Sequence, residues 1–120
     1  MKLLIVDDSN IIRRKIRRSN KVGDLEVVGS ACNGLEAVEL VKQTQPDLVT
    51  MDLTMPEMDG IESIEKILEV KPDTRILVVS ALADKATAIR ALTIGARGFI
   101  CKPFTEDELN DAFEQLLEDM

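Results

Sequence analysis

Leu3-Leu4-Ile5-Val6-Asp7-Asp8, near the start of the chain, and Leu48-Val49-Thr50-Met51-Asp52, at its centre, decide the fold: each is a short, nearly continuous apolar run that stops on acid. Runs of this kind suit strands covered on both faces, the situation of a parallel sheet between two layers of helix. Side by side in such a sheet, the two would deliver Asp7, Asp8 and Asp52 to one edge. Carboxylates so crowded repel one another and would raise one another's pKa unless a cation sat among them. Oxygen-only ligands suit Mg²⁺, with Mn²⁺ able to take the same place. The residues alone therefore point to metal-assisted phosphoryl chemistry.

Working outward, apolar runs bounded by turn residues alternate five times with segments of helical period, the pattern of a doubly wound α/β domain. Strands are expected near 2–6, 25–30, 48–52, 75–79 and 98–101. The first helix starts at Ser9 or Asn10, either of which can cap it, and presents Ile12 and Ile16 inward with its basic side to water. Ala37, Val38 and Val41 form the stripe of the second helix, which Gln45-Pro46 ends. Ile61, Ile64 and Leu68 mark the third, stopped by Lys71-Pro72. The fourth, near 84–94, is built on Ala86, Ile89, Ala91 and Leu92 and capped by Gly95. In the fifth, Thr105 and Glu108 spell a capping box ahead of the stripe Leu109, Ala112, Phe113, Leu116 and Leu117.

A chain of 120 residues, 45% hydrophobic and 31% charged, fits a single globular domain spanning 1–120 with one core. No apolar stretch approaches the roughly 20 residues that cross a bilayer, so a soluble, cytoplasmic protein without membrane contact is expected. The absence of histidine excludes a Ser-His triad, an imidazole zinc site and a phosphohistidine donor within this chain. Cys32 and Cys101 stand in apolar surroundings and are expected as buried, reduced thiols. Charge is segregated: Arg13, Arg14, Lys15, Arg17, Arg18 and Lys21 crowd the first helix, whereas no base follows Lys102 and the tail carries seven acids between Glu106 and Asp119. Arg13, Arg14 and Arg17 are candidates for docking an acidic partner. Nucleic-acid binding is not expected of an acidic chain with net charge −7, no Trp and no Tyr.

In open α/β sheets the functional crevice lies beyond the carboxyl ends of the strands. Those ends here read Asp7-Asp8, Asp52, Ser80 and Lys102. With the stretch Met51-Asp52-Leu53-Thr54-Met55-Pro56-Glu57-Met58-Asp59-Gly60 and with Lys102-Pro103-Phe104, they closely resemble the receiver domain of two-component response regulators, from Leu3 to about Leu117. The resemblance implies the flavodoxin-like receiver fold, a five-stranded parallel sheet of order 2-1-3-4-5 with five helices. It also implies that Asp52 is the phosphoacceptor, and that Asp8, Asp52 and the backbone carbonyl of Thr54 bind Mg²⁺ while Asp7 holds a metal-bound water. Lys102 would supply a second cation and Ser80 the switch hydroxyl. Phe99 would be the aromatic that follows that hydroxyl, although a plain core phenylalanine explains it nearly as well. Lys102-Pro103 would be a cis peptide bond.

The function so implied is a stand-alone, monomeric response regulator that is phosphorylated by a histidine kinase or a histidine phosphotransfer domain and signals by binding a protein target. Val6-Asp7-Asp8-Ser9 with Arg13-Arg14 looks most like the chemotaxis subset, whose target is the flagellar motor switch. It would be a switch, not a dedicated enzyme. A phosphorelay intermediate and an isolated receiver of a DNA-binding transcription regulator are the neighbouring readings. In the family it resembles, the residues two after the acceptor and two after the hydroxyl often carry an acid or amide that orients a hydrolytic water; here they are Thr54 and Leu82, so slow self-dephosphorylation and a partner phosphatase are expected.

Overall fold

Among the described residues of the computed structural model ten elements alternate: β1 (Lys2–Val6), α1 (Asn10–Ser19), β2 (Glu26–Ala31), α2 (Gly34–Thr44), β3 (Leu48–Asp52), α3 (Gly60–Val70), β4 (Arg75–Ala81), α4 (Lys85–Thr93), β5 (Gly98–Lys102) and α5 (Glu106–Leu117). The structure describes residues 1–21, 25–53, 55, 58–81 and 85–118. All five strands run parallel in the order β2-β1-β3-β4-β5. This is the sheet that the resemblance implied. Among the described residues no helix is long and apolar enough to cross a membrane.

Strand periodicity divides the core in two, because successive side chains point to opposite faces. Leu3, Ile5, Leu48, Leu77 and Val79 pack with Ile16 of α1 and with Leu109, Phe113 and Leu116 of α5. Leu4, Val6, Val49, Met51, Ile76 and Val78 pack with Val41 of α2, with Ile61, Ile64 and Ile67 of α3, and with Ala88 and Ala91 of α4. Central β3 is buried throughout, whereas edge strand β5 is only half-buried along its length. The strongly apolar central runs are thus the price of being covered twice.

Four of the helices open on a side-chain cap. Ser9, Asn33, Asp59 and Thr105 accept from the backbone N–H three residues on, opening α1, α2, α3 and α5. At Thr105 the bond is reciprocated, the Glu108 carboxylate accepting from the Thr105 N–H at 3.0 Å. Such caps contribute about 1 kcal/mol each. They also fix where each strand end hands over to its helix, which is where the polar residues gather.

The structure departs from the sequence expectation at several points. β2 lies at 26–31, one residue later, and β4 and β5 run on to Ala81 and Lys102, because the pairs Ser80↔Cys101 and Ala81↔Lys102 prolong their ladder. α4 buries Ala88 and Ala91, leaving Ile89 56% and Leu92 40% exposed and Ala86 at the surface. Lying over β4 and β5 at the margin of the sheet, it needs only a narrow stripe, and small residues let it approach closely. Cys32 and Cys101 are free but half-buried, Cys32 just past the end of β2 and Cys101 on the edge strand β5.

Gly60 closes the segment between β3 and α3 by close approach. Its N–H donates to the Leu53 carbonyl at 3.1 Å, and a Cβ there would stand 2.5 Å from Leu53 Cα and 2.6 Å from the Asp52 carbonyl oxygen. A Cβ on Gly29 would instead stand 3.4 Å from Leu4. Gly60→Ala is expected to lower unfolding stability by about 1–3 kcal/mol through overpacking, and Gly29→Ala by less, in parallel urea titrations.

Candidate functional site

Parallel strands end level with one another, so the register decides what meets at their carboxyl ends. Val6 pairs with Met51, and Asp52 pairs with Val79. Asp7 extends β1 by one further bond, its N–H donating to the Ala31 carbonyl at 3.0 Å. The chain then turns: Asp7 Oδ1 accepts from the Ser9 N–H at 2.9 Å, just before Ser9 caps α1. Asp7 is 1% and Asp52 5% exposed, while Asp8 stands in solvent. One carboxylate oxygen from each of Asp7, Asp8 and Asp52 lies within 4.8 Å of the others.

Lys102, last residue of β5, reaches across the ends of β4 and β3. Its Nζ stands 2.8 Å from Asp7 Oδ2 and 3.6 Å from Asp52 Oδ1, and its side chain is 22% exposed. Burial by itself would depress the ammonium's pKa. The hydrogen bond and charge of Asp7, then those of Asp52, outweigh it and hold the group above the ordinary lysine value. Lys102 is therefore cationic throughout the neutral range. Among the described residues the Lys102 ammonium stands against three gathered carboxylates, and these converging oxygen donors are fitted to a divalent metal ion.

The remaining predicted residues are distributed around this centre. Ser80 lies one step beyond Val79 on β4 and is 1% exposed, its hydroxyl without a hydrogen-bond partner among the described residues. The Lys102-Pro103 bond is cis. Phe99 is half-buried and packs against the core that α2, α3 and α4 cover, three residues ahead of Lys102. Thr54 and Leu82 lie outside the described residues.

The basic helix proves heterogeneous. Arg14, Arg17 and Arg18 are exposed, but Arg13 and Lys15 are half-buried and turned inward. Arg13 donates to the Asp7 carbonyl and to Asn10 Oδ1, so it is engaged with the turn carrying Asp7. A base six residues after a buried acid, just inside a capped helix, was the available signal. Lys15 donates to the Phe104 carbonyl and lies over the Phe104 ring, contacts 89 residues apart that no local pattern announces. Lys21 pairs with Glu106 at 2.7 Å, bringing the basic and acidic helices side by side.

Comparison with known proteins agrees with this geometry. Residues 3–114 match the family model described as the response regulator receiver domain. Chemotaxis protein CheY of Listeria monocytogenes is 43% identical over 115 residues, 96% of this chain and 97% of that protein. CheY of Thermotoga maritima is 42% identical over 115 residues, covering 96% of each. Among solved structures, the CheX-CheY-BeF3-Mg²⁺ complex from Borrelia burgdorferi superimposes with a TM-score of 0.90 at 30% identity, covering 97% of this chain and 88% of that one.

Removing the ammonium should expose how much of this cluster it holds. Lys102→Met is expected to cost about 2–3 kcal/mol at neutral pH, less than breaking a fully buried pair because the lysine is partly exposed. Added Mg²⁺ should recover much of the loss; an equal deficit with and without Mg²⁺ would show that the carboxylates do not compete for cations. In the parent protein the contribution of the raised ammonium is complete at neutral pH and disappears as pH rises through its elevated pKa.

Proposed function

This chain belongs to the response regulator receiver domain family, and on that premise we propose that it is a chemotaxis-type phosphorylation switch whose acceptor is Asp52. The observation that carries the reading is the gathering of Asp7, Asp8 and Asp52 at one sheet edge with Lys102 placed between Asp7 and Asp52. A carboxylate attacking an anionic phosphoryl group must overcome charge repulsion before any bond forms, so cations placed in advance provide most of the catalysis. Mg²⁺, when bound, would neutralise the acceptor and the phosphoryl oxygens and align the displacement.

The protein's own residues divide the remaining work. Asp8 and Asp52, with the carbonyl of Thr54, would hold the ion, and Asp7 would orient one of its waters. The Asp7 backbone is already fixed by Ala31 and Arg13, which keeps this carboxylate from turning away. An Asp52 oxygen attacks phosphorus as the P–N bond of a partner's phosphohistidine breaks, and the imidazole leaves with the bonding pair. Lys102 takes one of the phosphoryl oxygens. Ser80, with a buried hydroxyl at the end of β4, donates to another. That bond would draw the end of β4 toward Asp52, and Phe99 on the neighbouring strand would respond to the movement.

Two partner surfaces follow. Arg14, Arg17 and Arg18 offer an exposed cationic face along α1, the helix that leaves the site, suited to an acidic region of the histidine kinase or histidine phosphotransfer domain, with an encounter rate that falls as salt rises. Ile89 and Leu92 leave an apolar patch on α4, next to the β4 end that the phosphoryl group would shift, and this suits the downstream target. The whole-length similarity to chemotaxis relatives supports the flagellar motor switch as that target. A separate phosphatase would reset the switch, and the similarity to a CheY seen in complex with CheX supports a partner of that kind.

Incubation with acetyl phosphate and Mg²⁺ followed by intact mass spectrometry tests the chemistry. The parent protein is expected to gain one phosphoryl group, and Asp52→Asn or chelation of the metal to prevent the gain. Equal labelling of Asp52→Asn would overturn the assignment.

A further inference from the structure

We propose that Lys15 is a positioning residue for Lys102: from α1 it holds the carbonyl and ring of Phe104, and so fixes the turn that carries the Lys102 ammonium to Asp7 and Asp52. The need for such a device lies in the sheet. Lys102 ends β5, an edge strand half-buried along its whole length whose backbone ladder is made with β4 alone, so its last residue is less firmly held than the ends of the central strands. Its four-carbon stem adds freedom of its own. The next residue, Pro103, has no N–H to contribute.

Phe104 is the first residue of this turn with a firm anchor. Its ring is 2% exposed in the core beneath α1 and α5, and the Lys15 Nζ stands 4.4 Å from the ring centroid. The same ammonium donates to the Phe104 carbonyl. A cation over an aromatic face and a charge-assisted hydrogen bond from one atom leave the segment little latitude. Arg13, two residues earlier on the same helix, donates to the Asp7 carbonyl at the opposite bank of the site. Residues two apart on a helix do not share a face, so α1 reaches the turn after β1 with one side and the turn after β5 with another. A single rigid element thereby sets the separation of Asp7 from Lys102, which the structure records as 2.8 Å between Oδ2 and Nζ.

The inference rests on the reading of Asp52 as phosphoacceptor, and its test separates the two claims. Lys15→Met keeps the apolar stem and removes the charge and the donor; Lys15→Arg keeps both. The protons of the Lys102 ammonium, observed by ¹⁵N NMR at low temperature, are expected to exchange with solvent about tenfold faster in Lys15→Met than in the parent, and near the parent rate in Lys15→Arg. Phosphoryl uptake from acetyl phosphate should slow by about tenfold in Lys15→Met with Mg²⁺ affinity held within about twofold, and Lys15→Arg should restore it. Unchanged exchange overturns the proposal, as does a rate loss matched by an equal loss of Mg²⁺ affinity, which would mark general damage to the site. If Lys15→Met does not fold, Phe104→Leu removes the ring and keeps the carbonyl; it should accelerate exchange, and no change there is equally contradictory. A parent protein that takes up no phosphoryl group would refute the acceptor assignment, while the exchange measurement would still decide the role of Lys15.

Discussion

The Lys102 ammonium set against three gathered carboxylates is the constraint from which the rest of this molecule can be understood. Lys102 comes from the last strand, Asp52 from the central one and Asp7 from the turn after the first, so their contact exists only if β1, β3, β4 and β5 are in register. The site and the sheet therefore depend on each other. The pair costs desolvation of Asp7, which is almost wholly buried, and an ion pair under those conditions is weak evidence of stability for its own sake. What it achieves is a defined arrangement of charge at the point where α1 and α3 leave the sheet.

The elements around that point act chiefly by denying movement. Ser9 and Asp59 cap the helices that follow Asp7 and Asp52, and Gly60 lets the return segment lie directly against the Asp52 backbone. Arg13 fastens the Asp7 carbonyl and Lys15 the Phe104 carbonyl. On the other side, α4 is held by little more than two alanines, with Ile89 and Leu92 outside. A rigid acidic rim beside a lightly packed helix is the distribution of stability expected of a switch, whose moving parts come from the less stable end of the structure.

Much of this was legible in the chain, and the reason is physical. Strands covered on both faces must be apolar to their ends, so the acids that follow Val6 and Met51 stand out, and a parallel sheet leaves them only one edge to occupy. The capping box at Thr105 and the stripe of α5 are local patterns and read directly. The face of α4 did not read correctly because nine residues carry two interchangeable apolar stripes, and the choice between them is made by how close the helix must come to the sheet margin. The inward turn of Arg13 and Lys15 was hidden by their membership in a basic run, where composition suggests a solvated face and tertiary acceptors decide otherwise.

The central claim is that this carboxylate cluster is completed by a divalent cation. Calorimetric titration of the protein with Mg²⁺ tests it most directly. The account predicts one binding site per chain that is lost in Asp8→Asn, a substitution at a solvent-facing carboxylate that leaves the core intact. Absence of binding by the parent protein, or undiminished binding by Asp8→Asn, would contradict it.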